Sequence, residues 1–157
     1  MSLLDALDHD YFMALAITKA SHNPRQPFGA VIVHAPTKTL VAEGCNATYR
    51  DCTLHGEIVA IQDMEAKKPG LPRDEMVLYT TGEPCPMCAA AIVWSGIGAV
   101  VYASDMAALE RAGFKTFDLR AEDVTAKGPR PVPYLGGVRR GETDPMFVEA
   151  IERGGQG

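Results

Sequence analysis

Strands alternating with helices along a 157-residue chain predict an α/β layered fold with a central sheet covered on both faces. Three observations carry that expectation. Short runs rich in β-branched residues recur between turn signals, capped helical runs fall between them, and no apolar stretch approaches transmembrane length.

The elements follow in order. Asp8–Ala20 reads as an amphipathic helix, with Phe12, Leu15, Ala16 and Lys19 at helical spacing. Asn23-Pro24-Arg25-Gln26-Pro27 is a loop. Phe28–His34 reads as a strand, Pro36-Thr37 as a turn and Thr39–Gly44 as the partner strand. A second helix starts behind a Thr53 cap, runs through Glu57, Ile58, Ile61 and Met64 to Lys67 and Lys68, and stops at Pro69-Gly70. A third strand, Glu75–Thr80, enters the loop Thr81–Pro84. Pro86 suits the first turn of the next helix, whose apolar run Met87–Trp94 ends near Gly96. Ala99–Ala103 reads as a strand and Met106–Ala112 as a helix.

Beyond Phe117 the pattern weakens. Gly128–Tyr134, with Pro129, Pro131 and Pro133, predicts a loop lying over the body. Asp144–Ile151 reads as a short helix behind a cap, with Pro145 at its first position, and Gly154–Gly157 as a frayed tail. The chain suits one domain, residues 1–157, of which 118–157 is the least patterned part.

Composition narrows the function classes. Apolar content of 46% and charged content of 22% are ordinary for a soluble globular protein. A net charge of −5 and the absence of a basic run argue against nucleic acid as the main partner. Arg139-Arg140 reads as a solvated loop. The start, Met1–Asp8, lacks the cationic segment of a signal peptide, and thiols committed to a metal suit a reducing compartment, so the cytoplasm is the expected location and no membrane is involved.

Two short pieces carry the chemistry, His55-Gly56-Glu57 and Pro84-Cys85-Pro86-Met87-Cys88. Cys85 and Cys88 are three apart, so on a helix they share one face. His55 and Glu57, two apart, converge only if His55 sits at a helix N-terminus. Two N-termini would then face one metal. Catalytic zinc keeps three protein ligands and leaves the fourth position to water. Two thiolates and an imidazole neutralise Zn²⁺, so the bound water needs a base at hand, and Glu57 is the nearest. Other readings remain open here: a structural zinc module with Cys52 as fourth ligand, or a thiol redox protein using Cys85 and Cys88. Cys45 and Cys52 otherwise read as small buried apolar residues.

Taken together these pieces form H-x-E…P-C-x-x-C, the signature of zinc deaminases acting on nucleobases. The chain resembles the cytidine and deoxycytidylate deaminase superfamily, in its branch of guanine, yeast-type cytosine and tRNA adenosine deaminases. The resemblance runs from Tyr11 to Phe114, through Pro27–Val33, Gly44-Cys45-Asn46, Leu54–Ile58 and Glu83–Cys88. It implies a three-layer α/β/α sandwich around a five-stranded mixed sheet, zinc on His55, Cys85 and Cys88, and Glu57 as proton shuttle. It also implies that Asn46 hydrogen-bonds the substrate ring, that the backbone at Gly56 borders it, that Phe28 belongs to the same pocket, and that the protein is a homodimer. The partner is then water plus a small aminated heterocycle, which loses its exocyclic amine as ammonia. Glu83–Cys88, Trp94 and Ala112-Gly113-Phe114 look like guanine deaminases, although the acidic pair common after that Gly-Phe is here Lys115-Thr116. Thr53–Ile58 looks like yeast-type cytosine deaminase. A guanine-type base is the first expectation, followed by a cytosine-type pyrimidine, a tRNA adenosine, and last the non-enzymatic zinc module.

Overall fold

A computed structural model describes residues 2–155. Strands β1 (Gly29–His34), β2 (Thr39–Cys45), β3 (Met76–Gly82), β4 (Ala99–Ser104) and β5 (Tyr134–Leu135) form one sheet in the order β2-β1-β3-β4-β5. β1 is antiparallel to both β2 and β3, whereas β4 is parallel to β3 and β5 to β4. Four strands therefore share one direction and β1 opposes them. The ends of β2, β3 and β4 and the start of β1 consequently meet at one edge of the sheet.

The period of two in the central strands divides the core between two faces. Val31, Val33, Val77, Tyr79, Val101 and Ala103 pack with Phe12, Met13 and Ala16 of α1 (His9–Ala20). Ala30, Ile32, Met76, Leu78 and Val100 pack on the other face with Ala60 and Met64 of α2 (Gly56–Lys67) and Ile92 and Val93 of α3 (Pro86–Ser95). Every residue of β1, β3 and β4 is buried, as strands covered on both sides must be. This is the expected three-layer α/β/α sandwich on a five-stranded mixed sheet. A third cluster joins Leu109 of α4 (Met106–Ala112), Phe114, and Phe147 and Ala150 of α6 (Arg140–Glu152).

Several local expectations are corrected. Thr53 does not cap α2: its N–H and hydroxyl bind Asp51 Oδ1 within the preceding loop, and His55 occupies the N-cap. β3 continues through Thr81 and Gly82, so the loop before Cys85 is only two residues long. The proline-rich stretch is irregular through Pro133, as expected, but its last residue, Tyr134, begins β5, which pairs with Val100 and Val101. A helix, α5 (Ala121–Ala126), precedes it where none is expected.

α6 begins at Arg140, five residues before Pro145. The carbonyl that Pro145 leaves without a donor belongs to Gly141, which is exposed to water. Arg139 and Arg140 are not a solvated loop; they pair with Glu142 and with Asp105 and Asp144. Gly154 adopts φ 88° and its N–H, with that of Gly155, closes α6 on Ile151 and Ala150, so this part of the tail is a helix cap and is not frayed. Gln156 and Gly157, the rest of that tail, lie outside the described residues. Cys52 is exposed and Cys45 half-buried, so neither is a core residue.

Candidate active site

His55 caps α2 and Cys85 caps α3, each with extended backbone, and Pro86 holds the first helical position after Cys85. Two helix N-termini thus converge, as the spacing of the motifs expects. His55 Nδ1 lies 3.5 Å from Cys85 Sγ and 3.6 Å from Cys88 Sγ. All three atoms fall within 4.8 Å of one another, and neither Cys52 nor Glu57 belongs to the group. Zinc bonds of about 2.0 Å to nitrogen and about 2.3 Å to sulfur, set at tetrahedral angles, separate N from S by roughly 3.5 Å. The donor triangle therefore fits one tetrahedral Zn²⁺, with a coordination position that no protein group fills.

Electrostatics agree with a thiolate-bearing site. Hydrogen bonding from Cys88, aided by His55, lowers the Cys85 thiol to about 4, and the bond to Cys85 raises His55. Sharing that proton and burial push Cys88 up. Glu57, only 4% exposed, is raised by burial, the condition under which a carboxyl can carry a proton near neutral pH. Thr80 Oγ1 donates to Glu57 Oε1 at 2.8 Å.

Above these groups opens a cavity of about 560 Å³, lined in part by Phe28, Asn46, His55, Glu57, Cys85 and Phe114. Its size suits a small heterocycle. Phe28, Phe114 and Phe147 lie 4.9–5.6 Å apart between ring centres, two of the pairs edge to face, and Phe28 and Phe114 give the cavity an apolar wall that Phe147 backs. Asn46 is held from two directions: Oδ1 accepts from the N–H and hydroxyl of Thr48, and its carbonyl accepts from Asn23 Nδ2. The orientation is therefore set, and Asn46 Nδ2 is the donor left for the cavity.

Of the residues singled out in the sequence, His55, Glu57, Cys85, Asn46 and Phe28 line the cavity, and Cys88 lies buried behind Cys85. Gly56 packs against the Phe28 backbone, where a Cβ would stand 2.3 Å from Phe28 O, and it is not among the residues that line the cavity. Two residues of the site escaped the sequence reading. Thr80 was detectable as a hydroxyl inside the apolar run of β3. Glu83 had no such signal: its carboxylate accepts from Arg120 Nε and Nη2 and from the backbone N–H groups of Met106 and Ala121. It thereby ties the starts of α4 and α5 to the loop that carries Cys85.

Sheet, helix caps and donor triangle together define a class, the three-layer α/β/α proteins whose His-Cys-Cys set and buried glutamate meet at one edge of a mixed sheet. The chain belongs to the cytidine and deoxycytidylate deaminase family, since residues 7–104 match the cytidine and deoxycytidylate deaminase zinc-binding region, and it is a hydrolytic deaminase of that family. It is 37% identical over 134 residues to the guanine deaminase of Bacillus subtilis, covering 82% of this chain and 85% of that one. A probable cytosine deaminase of Schizosaccharomyces pombe is 26% identical over 123 residues, 75% of each chain. Among solved structures, the guanine deaminase from Nitrosomonas europaea superposes with a TM-score of 0.79 at 26% identity, over 91% of this chain and 84% of that one. Among the described residues, no helix is long and apolar enough to cross a membrane.

Proposed function

We propose that this protein is a zinc-dependent deaminase of a guanine-type free base, exchanging the exocyclic amine for a carbonyl oxygen from water and releasing ammonia. One arrangement carries the reading: the buried Glu57 carboxyl, fixed by Thr80, beside the His55–Cys85–Cys88 triangle at the floor of an aromatic-walled cavity. His55, Cys85 and Cys88 would hold the metal. Zinc, when bound, supplies the Lewis acidity that makes water a nucleophile at neutral pH.

The remaining work falls to the chain. Thr80 anchors Oε1 of Glu57, which leaves Oε2 to take a proton from water and pass it first to the ring nitrogen and then to the departing amine. Phe28 and Phe114 receive the flat face of the ring and keep bulk water from it. Asn46 Nδ2 donates to a ring acceptor, and Gly56 lets α2 approach the strand edge so closely that the ring meets backbone at that point. Relatedness to guanine deaminases over most of both chains supports a purine. Gly56 between His55 and Glu57 favours a cytosine-type pyrimidine as the second reading. A cytoplasmic homodimer completes the proposal; four free thiols suit a reducing compartment.

The test is ammonia release from guanine, cytosine and adenine by protein of measured metal content. About one zinc per chain and turnover of guanine support the reading. Zinc without turnover of any aminated ring would leave the structural module, and a reducible Cys85–Cys88 disulfide without zinc would leave the redox protein.

A further inference from the structure

Between Phe114, locked into the aromatic cluster, and Arg120, clamped on Glu83, the chain passes along the cavity as Lys115-Thr116-Phe117. All three line the cavity, and none makes a side-chain hydrogen bond or ion pair among the described residues. Lys115 is exposed, with no ion pair among the described residues. Thr116 Oγ1 is withdrawn from solvent and has no hydrogen-bond partner among the described residues. Phe117 is 64% exposed. A buried hydroxyl without a partner is uncommon and calls for an explanation. A turn about the Cα–Cβ bond would exchange the Thr116 methyl and hydroxyl, and it would break no hydrogen bond.

The rest of the cavity shows what such groups would meet. Asn46 presents Nδ2, a donor, because Thr48 occupies its oxygen. Glu83, the one carboxylate of the lining besides Glu57, has both oxygens filled by Arg120, Met106 and Ala121. Among the described residues no lining carboxylate is left to accept from a second amino group on the substrate, and Gln26, the other amide of the lining, can present either its oxygen or its nitrogen. Asn46 and Lys115 offer N–H donors only, and the Thr116 hydroxyl can join them.

We propose that Lys115 and Thr116 are the specificity-determining residues of the site and select a ring carrying an oxo group over one carrying a further amino group, with Phe117 covering the bound face. The inference rests on the deaminase reading above and narrows its substrate class. Guanine fits: its 6-oxo oxygen and N7, on the same edge, are acceptors. 2-Aminopurine offers the same leaving amine without the oxo group, and 2,6-diaminopurine puts a donor in its place.

Initial rates on these three purines, for wild type, Lys115→Met, Thr116→Val and Thr116→Ser with equal zinc content, test the proposal. Losing one hydrogen bond to the oxo group raises KM for guanine about tenfold in Lys115→Met and Thr116→Val, with kcat and the KM for 2-aminopurine within about twofold. Thr116→Ser, which keeps the hydroxyl, stays near wild type. Lys115→Glu shifts preference from guanine toward 2,6-diaminopurine. Equal losses on guanine and 2-aminopurine, or none on either, overturn the assignment while leaving the deaminase reading intact. Wild-type enzyme that releases ammonia from none of the three overturns the purine reading itself, and this inference with it.

Discussion

The Thr80 hydroxyl and the Glu57 carboxylate meet at 2.8 Å, joining the fifth residue of β3 to the second residue of α2 directly beneath the cavity. Thr80 Oγ1 also stands 3.2 Å from the carbonyl of Gly82, a longer contact than the one to Glu57. Bonds to a charged group are worth about 1.5–3 kcal/mol when buried. Thr80→Val therefore lowers kcat about tenfold or more and leaves KM nearly unchanged in steady-state assays of ammonia release. Glu57→Gln, which removes the proton carrier, lowers kcat at least about a hundredfold and keeps the metal. A Glu57→Gln protein that turned over normally would end the shuttle assignment.

Gly56 faces a different constraint. A Cβ here would lie 2.3 Å from Phe28 O, and backbone on both sides cannot yield as a flexible side chain would. Gly56→Ala forces α2 away from β1, at a cost of about 1–3 kcal/mol, and carries His55 and Glu57 with it. Urea denaturation registers the lost stability, and the loss of activity exceeds what that stability alone explains.

Metal removal separates a functional from a structural thiol pair. Chelation of the purified protein lowers its thermal midpoint, because a ligand that binds only the folded state stabilises it by mass action. One equivalent of zinc per chain restores both midpoint and activity. Cys88→Ser loses metal and activity together, whereas Cys52→Ser, outside the donor triangle, changes neither.

Glu83 is the buried junction of the cavity wall. Its side chain is 1% exposed, against 54% for Arg120, so screening weakens the pair from the arginine side only. Glu83→Ala strands Arg120 and two backbone N–H groups and destabilises the protein by about 3 kcal/mol or more in chemical denaturation. Arg120→Ala costs about 1 kcal/mol, since water can replace the exposed guanidinium.

Phe147 tests whether the C-terminal region belongs to the same folding unit. It is 1% exposed and stacks on Phe28 and Phe114. Phe147→Ala lowers stability by about 3–5 kcal/mol in one cooperative transition. A separate, earlier unfolding step for α6 would show that region to be an appendage.

Sequence alone was sufficient where short-range chemistry decides the outcome. Short apolar runs rich in β-branched residues placed β1, β3 and β4, Gly96 and Pro86 bounded α3, and motif spacing put His55 and Cys85 on helix N-termini. Distant pairings needed the folded chain. Tyr134-Leu135 is a strand because β4 offers an edge to a two-residue segment, and Pro145 is tolerated inside a helix because Gly141, one turn before it, faces water. Glu83 meets Arg120 across 37 positions, and three phenylalanines from residues 28, 114 and 147 pack into one cluster beside the cavity. Local pattern carries the preferences of neighbours along the chain, whereas a cavity is made by residues whose proximity is fixed by the packing of whole elements.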